Sequence, residues 1–150
     1  MLTVSDTRTA DTDTSGGAIR ELIEAGGHRV TGHAIVRDEP VEVARLVTLA
    51  IADPDTDAII TTGGTGITSR DGTFEAVDRL LEKRIDGFGE LFRMLSFTEI
   101  GPAAMLSRAT AGVTSGTAIF LLPGSQHAVR LAMTQLILPE LGHVVQQARK

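Results

Sequence analysis

The chain has 150 residues with 42% hydrophobic content, enough for one domain spanning 1–150 with a real core. A formal net charge of −5, 3% aromatic residues and no cluster of Lys or Arg speak against a nucleic-acid surface and favour a small ligand. The absence of cysteine excludes a disulfide framework, a thiolate nucleophile and a Cys-ligated zinc site.

The N-terminal MLTVSDTRT has neither a basic region nor a long apolar stretch, so no signal peptide is expected. No apolar run approaches the roughly 18–20 residues that span a bilayer. The expectation is a soluble, cytoplasmic protein without membrane contact.

Leu2-Thr3-Val4 reads as a buried strand close to Met1, short against the usual five or six residues or so, which leaves room for a native start upstream. A polar loop, Arg8 to Ser15, leads to a helix whose Ile19, Leu22 and Ile23 share one face, ended by Gly26-Gly27. His28 to Val36 alternates loosely like a strand. Asp38-Glu39-Pro40 then opens a helix with Val43, Leu46, Val47, Ala50 and Ile51 at helical spacing, closed by Asp53-Pro54. Ala58 to Thr62 is the next strand, and Phe74, Val77 and Leu81 mark a further short helix.

Strands alternating with helices predict an α/β fold with a mostly parallel sheet covered on both faces, where ligands bind beyond the carboxyl ends of the strands. Ser5-Asp6, Asp38 and the loop starting at Gly63 each follow a strand, so they are expected on one rim. Gly89 to Glu99 is helical by pattern and is stopped by Gly101-Pro102. Ala109 to Thr114 and Thr117 to Leu122 flank Ser115-Gly116, which predicts a hairpin and an antiparallel edge. Leu122-Pro123-Gly124-Ser125 leads into a long helix bearing Val129, Ala132, Met133, Leu136 and Ile137, with Ser125 as N-cap and a kink or division at Pro139.

The most informative stretch is TTGGTGITSRD, Thr61 to Asp71. A strand ending in two adjacent glycines and a third two residues on exposes backbone N–H groups to a bulky anion. Asp71 beside such a cradle suggests a bound cation such as Mg²⁺ or a polar ligand group. It is not a Walker loop, since no Gly-Lys pair occurs in the chain, and Ser69 stands where a dinucleotide fingerprint starting at Gly64 would need glycine. The plainer alternative is a tight strand-to-helix turn.

Other candidates carry two readings each. Ser125 with Gln126 and His127 offers a second anion site at a helix N-terminus, or only a cap. Asp38 can cap the helix near Pro40, or face the rim and help Asp71 hold a cation; Asp71 can itself be an N-cap. Arg70 and Arg108 are candidates to neutralise phosphate, although single arginines are commonly solvated surface charges. The four histidines show no metal-ligand spacing. FGELFRMLSF, which contains Glu90 and Ser96, is too apolar for an ordinary surface helix and is expected to make a subunit contact.

These residues together resemble the MoaB/MogA family of molybdenum cofactor biosynthesis proteins, which includes the molybdopterin adenylyltransferases. The likeness rests on LTVSD (Leu2 to Asp6), V-x-D-E (Val36 to Glu39), TTGGTGITSRDGTFEA (Thr61 to Ala76), MLSRATAG and LPGSQHAV, in that order along nearly the whole chain. GFGELFRMLSFTEIG, Gly87 to Gly101, is most similar to the MoaB branch, some of whose members are thought to bind pterin without being the main adenylyltransferase.

The resemblance implies a three-layer α/β/α sandwich, trimers or hexamers, and the Mg²⁺-assisted joining of molybdopterin to ATP with release of pyrophosphate. It places the two activity-linked aspartates at Asp38 and Asp71, assigned to cation binding and phosphate orientation. It places ligand contacts at Ser5, Asp6, Gly63, Gly64, Thr65, Gly66, Arg70, Ser107, Arg108, Pro123, Gly124 and Ser125. Two positions depart from the adenylyltransferases: Phe74 and Arg37 stand where proline is common, and Phe74 would narrow or reshape the rim.

Overall fold

The strand Thr117–Leu122 shows how the core is divided. Ala118, Phe120 and Leu122 point to one side of the sheet and Ile119 and Leu121 to the other, and all five are essentially buried. A central strand covered on both faces must read as an unbroken apolar run, as this one does. In the computed structural model, which describes residues 1–150, two layers of helices bury those faces.

The strands are β1 (Leu2–Val4), β2 (Ala34–Val36), β3 (Ala58–Thr62), β4 (Lys83–Arg84), β5 (Thr110–Thr114) and β6 (Thr117–Leu122), in the spatial order β2-β1-β3-β6-β5-β4. The first four in that order are mutually parallel; β5 runs antiparallel to both β6 and β4. The helices are α1 (Thr14–Ala25), α2 (Pro40–Ala52), α3 (Thr73–Asp78), α4 (Asp86–Ile100), α5 (Gln126–Ala132) and α6 (Leu138–Ala148). A 3₁₀ turn, Gly101–Leu106, follows α4, and a π-helical stretch, Met133–Ile137, joins α5 to α6.

The larger core layer sets α1, α4, α5 and α6 against one face of the sheet, through residues such as Ile19, Phe92, Val129 and Leu141. The smaller layer sets Val43 and Val47 of α2 and Val77 of α3 against Leu2, Val4, Ile59 and Ile119. This is the expected three-layer α/β/α sandwich.

Local chemistry fixes the element ends. Asp13 caps α1 by accepting from Gly16 N at 2.8 Å, and Ser125 caps α5 by accepting from Ala128 N at 3.2 Å. The Ser115-Gly116 turn has φ of 49° and 81°, the pair of positive angles a two-residue hairpin needs to match strand twist. The extra-wide π turn lies just ahead of Pro139, where a proline cannot continue the α-helical ladder.

The structure corrects three expectations. The predicted strand from His28 shrinks to Ala34–Val36, because this edge strand has one partner and pairs with only three residues of β1. Leu81 lies beyond α3, which ends at Asp78. The hairpin forms as expected, but β5 is not outermost: the two-residue β4 takes that place and ends the sheet in exposed Lys83 and Arg84, charges that discourage edge pairing.

Candidate functional site

The chain passes from β1 outward to β2 and then returns to the other side of β1 as β3, so the direction of winding reverses between β1 and β3. A crevice opens there beyond the carboxyl ends of the strands, the usual ligand position in such sheets. It is a cavity of about 520 Å³ floored by the glycine loop from Gly63 to Gly66. Pro123-Gly124-Ser125 forms one wall, Ser107 and Asp71 stand at the rim, and Phe92, Ser96, Ile100 and Leu106 supply the side facing α4.

Two glycines are required for this shape. Gly63 has φ of 97°, and a Cβ there would lie 2.1 Å from the Val4 carbonyl oxygen. Gly63 N donates to Leu122 O at 3.0 Å, which pins the turn between two parallel strands. Gly64 has φ of 65°, and its missing Cβ leaves room for Thr73 Oγ1 and Asp38 Oδ2, which would be 2.2 and 2.6 Å away. Thr62 Oγ1 donates to Pro123 O at 2.9 Å and so ties the floor to the wall.

Asp38 is 6% exposed and lies beneath the loop rather than lining the cavity. Its Oδ1 accepts from Gly72 N and Thr73 Oγ1, each at 3.2 Å, while Oδ2 accepts no hydrogen bond from the protein. It therefore does not cap α2, whose N-cap is Glu39 without a side-chain bond. Burial pushes the Asp38 carboxyl above its ordinary range; the Gly72 and Thr73 bonds oppose this, and the charges of Asp71 and Asp6 add to it.

Asp71 is not an N-cap either; Gly72 holds that position for α3. Its Oδ2 accepts from Thr68 N at 3.0 Å and Thr68 Oγ1 at 2.5 Å, closing the tip of the loop on itself. The Thr68 hydroxyl first, then the amides of Thr68 and Gly66 and the Arg108 charge, hold Asp71 below the usual carboxylate range against the cost of burial. Neither Asp38 Oδ2 nor Asp71 Oδ1 takes part in the side-chain bonds described, and both lie beside the same loop. No group of three or more His, Cys, Asp or Glu is arranged to hold a metal. Mg²⁺, however, commonly takes one or two protein carboxylates and completes its shell with phosphate oxygens and water; of the two aspartates Asp71 lines the cavity, and Asp38 lies beneath its floor.

The arginines are placed differently from the sequence expectation. Arg70 bonds Asp6 and Glu39, with contacts of 2.9–3.1 Å, and does not line the cavity. Arg108 donates from Nε to Thr65 O at 2.9 Å, from Nη2 to Gly66 O and from Nη1 to Glu75, and lies 4.9 Å over the Phe74 ring. It faces a neighbouring crevice, together with Phe74, so Phe74 does not narrow the cavity as expected.

Ser5 and Asp6 also stand outside the lining. Ser5 Oγ accepts from Thr7 N and Arg8 N, and Asp6 Oδ1 accepts from Asp38 N at 3.2 Å. Gly63, Gly64, Thr65, Gly66, Asp71, Ser107, Pro123, Gly124 and Ser125 line it as expected. Sequence reasoning missed Thr68, Thr73, Glu39 and Glu75 as partners of the charged groups. Thr68 had a local signal, a hydroxyl three residues ahead of Asp71; the others did not.

Residues 1–143 match the family described as "Probable molybdopterin binding domain". Molybdenum cofactor biosynthesis protein B of Halalkalibacterium halodurans is 57% identical over 151 aligned residues, covering 100% of this chain and 89% of that one. A crystal structure of molybdenum cofactor biosynthesis protein B superposes with a TM-score of 0.95 at 51% identity, covering 98% of this chain and 92% of the other. The tungsten cofactor synthesizing protein MoaB from Pyrococcus furiosus follows with a TM-score of 0.88 at 39% identity, over 99% and 94%.

Proposed function

This chain belongs to the MoaB/MogA family of molybdenum cofactor biosynthesis proteins, and from that premise we propose that it is a Mg²⁺-dependent molybdopterin adenylyltransferase. In this reading the terminal phosphate oxygen of molybdopterin attacks the α-phosphorus of ATP. The new P–O bond forms as the bond to the β-phosphate bridge breaks, and pyrophosphate leaves.

One observation carries the reading. The cavity has amides and hydroxyls in its lining but no Arg, Lys or His, and its single charged lining residue is Asp71. A polyphosphate would be repelled there unless a divalent cation came with it. Asp38 and Asp71 would hold Mg²⁺, and the ion would supply charge neutralisation at the reacting phosphates. The glycine loop positions the anions, and Ser125 offers the capped end of α5 as a second wall. Such chemistry depends on positioned phosphates and not on a covalent nucleophile.

The same reading includes self-association into trimers or hexamers. Leu91, Met94, Phe97 and Ile100 recur every third residue on α4 and are 47–59% exposed, continued by Met105 and Leu106. A contiguous apolar face of this kind is suited to a second copy of the chain.

Incubation of the purified protein with ATP, Mg²⁺ and molybdopterin tests the activity: pterin-dependent pyrophosphate release is expected. Saturable pterin binding without release would instead make the protein a pterin-binding module or carrier, a reading favoured by Phe74 in place of proline and by arginines already engaged with protein groups.

A further inference from the structure

The backs of the Thr65 and Gly66 peptides are held by one side chain. Arg108 donates to both carbonyl oxygens from the side of the loop away from the cavity, where it lines the neighbouring crevice with Phe74. Its fork is fixed from two further directions, by Glu75 through Nη1 and by the Phe74 ring beneath it. The segment carrying Arg108 is itself anchored, since Arg93 on α4 donates to Ser107 O at 3.4 Å and Ala109 O at 3.2 Å.

In a planar trans peptide the C=O and the following N–H point in opposite directions. A guanidinium that draws two successive carbonyls to one side therefore turns the N–H groups of Gly66 and Ile67 to the other. The cavity lies on that other side, with Thr65 and Gly66 in its lining and Arg108 outside it. We propose that Arg108 is a positioning residue which, by holding the Thr65 and Gly66 carbonyls from behind, presents the Gly66 amide to an anion in the cavity.

Arginine suits the task and lysine does not. The planar fork reaches two carbonyls and a carboxylate at fixed angles, whereas an ammonium is a point charge on a flexible stem. Arg108 thus acts on the ligand through the peptide planes and not by contact. This deepens the reading of the site as a phosphate-ester cradle, but its test requires no turnover, so failure of adenylylation and failure of this inference are told apart.

The test follows the Gly66 amide of isotope-labelled protein by NMR while inorganic pyrophosphate with Mg²⁺ is added. In the unaltered chain this amide is expected to shift with saturation, and an amide that does not respond would overturn the proposal. Arg108→Lys keeps the charge and removes the fork: the Gly66 amide is expected to stop responding. Inorganic pyrophosphate with Mg²⁺ is expected to bind at least several-fold more weakly to this variant. A Gly66 amide that responds to pyrophosphate unchanged in Arg108→Lys would mean that only the charge matters, and would overturn the proposal. Glu75→Gln leaves the arginine in place on a partly exposed pair and guards against a variant that does not fold. It is expected to give an intermediate loss of the amide response, and an unaltered response there overturns the proposal as well.

Discussion

Arg70 grips Asp6 with two donors, Nε to Oδ2 at 2.9 Å and Nη2 to Oδ1 at 3.1 Å, across 64 residues of sequence. Its Nη2 also reaches Glu39 at 2.9 Å, so one guanidinium joins the loops that follow β1, β2 and β3. The same bond holds the Asp6 carboxyl below its ordinary range. All three side chains are largely exposed, so the ties set the position of the rim more than the stability of the fold. Arg70→Gln is expected to leave the melting temperature nearly unchanged while amide exchange in residues 64–72 accelerates by about ten-fold, read by hydrogen-exchange mass spectrometry.

Asp71→Asn removes the ionised acceptor of the Thr68 amide and hydroxyl and one of the two carboxylates proposed to hold Mg²⁺. Turnover in the pyrophosphate assay is expected to fall by about a hundred-fold or more, the scale of losing one electrostatic contact to a reacting centre. Unchanged turnover with Mg²⁺ would take Asp71 out of the mechanism.

For Asp38 the pH dependence runs opposite to that of a salt-bridged carboxylate. Its folded midpoint lies above the unfolded one, chiefly through burial, so the ionised form costs stability at neutral pH and the cost is relieved as pH falls through the folded midpoint. Asp71 has a lowered midpoint; its contribution is present above the ordinary carboxylate value and is lost as pH falls through the folded one. Carbon-detected titration should find Asp38 above the ordinary range, and added Mg²⁺ should bring it down. A midpoint indifferent to Mg²⁺ would exclude Asp38 as a ligand of the ion.

Gly63→Ala places a methyl 2.1 Å from a backbone carbonyl at a residue with φ of 97°. Neither atom is the end of a flexible side chain, so the loop must shift. A loss of about 2 kcal/mol or more in urea unfolding is expected, together with loss of pterin binding in calorimetry.

The exposed face of α4 gives a prediction about assembly. Phe97 is 59% exposed and lies on the apolar row, away from the buried Phe88, Phe92 and Ser96 of the same helix. Phe97→Glu should yield a folded monomer in light scattering, with far-ultraviolet circular dichroism unchanged. A chain that is monomeric before substitution would remove the face as a contact between copies.

The sequence determined the alternation of strands and helices, the extent of Ala58–Thr62, the Ser115-Gly116 hairpin and the meeting of the post-strand loops at one rim. Each of these rests on near neighbours in the chain: periodic burial, positive φ at glycine, a hydroxyl or carboxylate capping the next turn. Tertiary structure alone decided what the charged groups do. Arg70 and Arg108 read as free cations for phosphate, yet their partners lie 31 to 64 and 33 to 43 residues away. Asp38 is buried because the glycine loop folds over it, and β2 is short because β1 offers it only three residues. A side chain's charge is written in the sequence, but the direction in which it is spent depends on which distant backbone groups packing brings within hydrogen-bond reach.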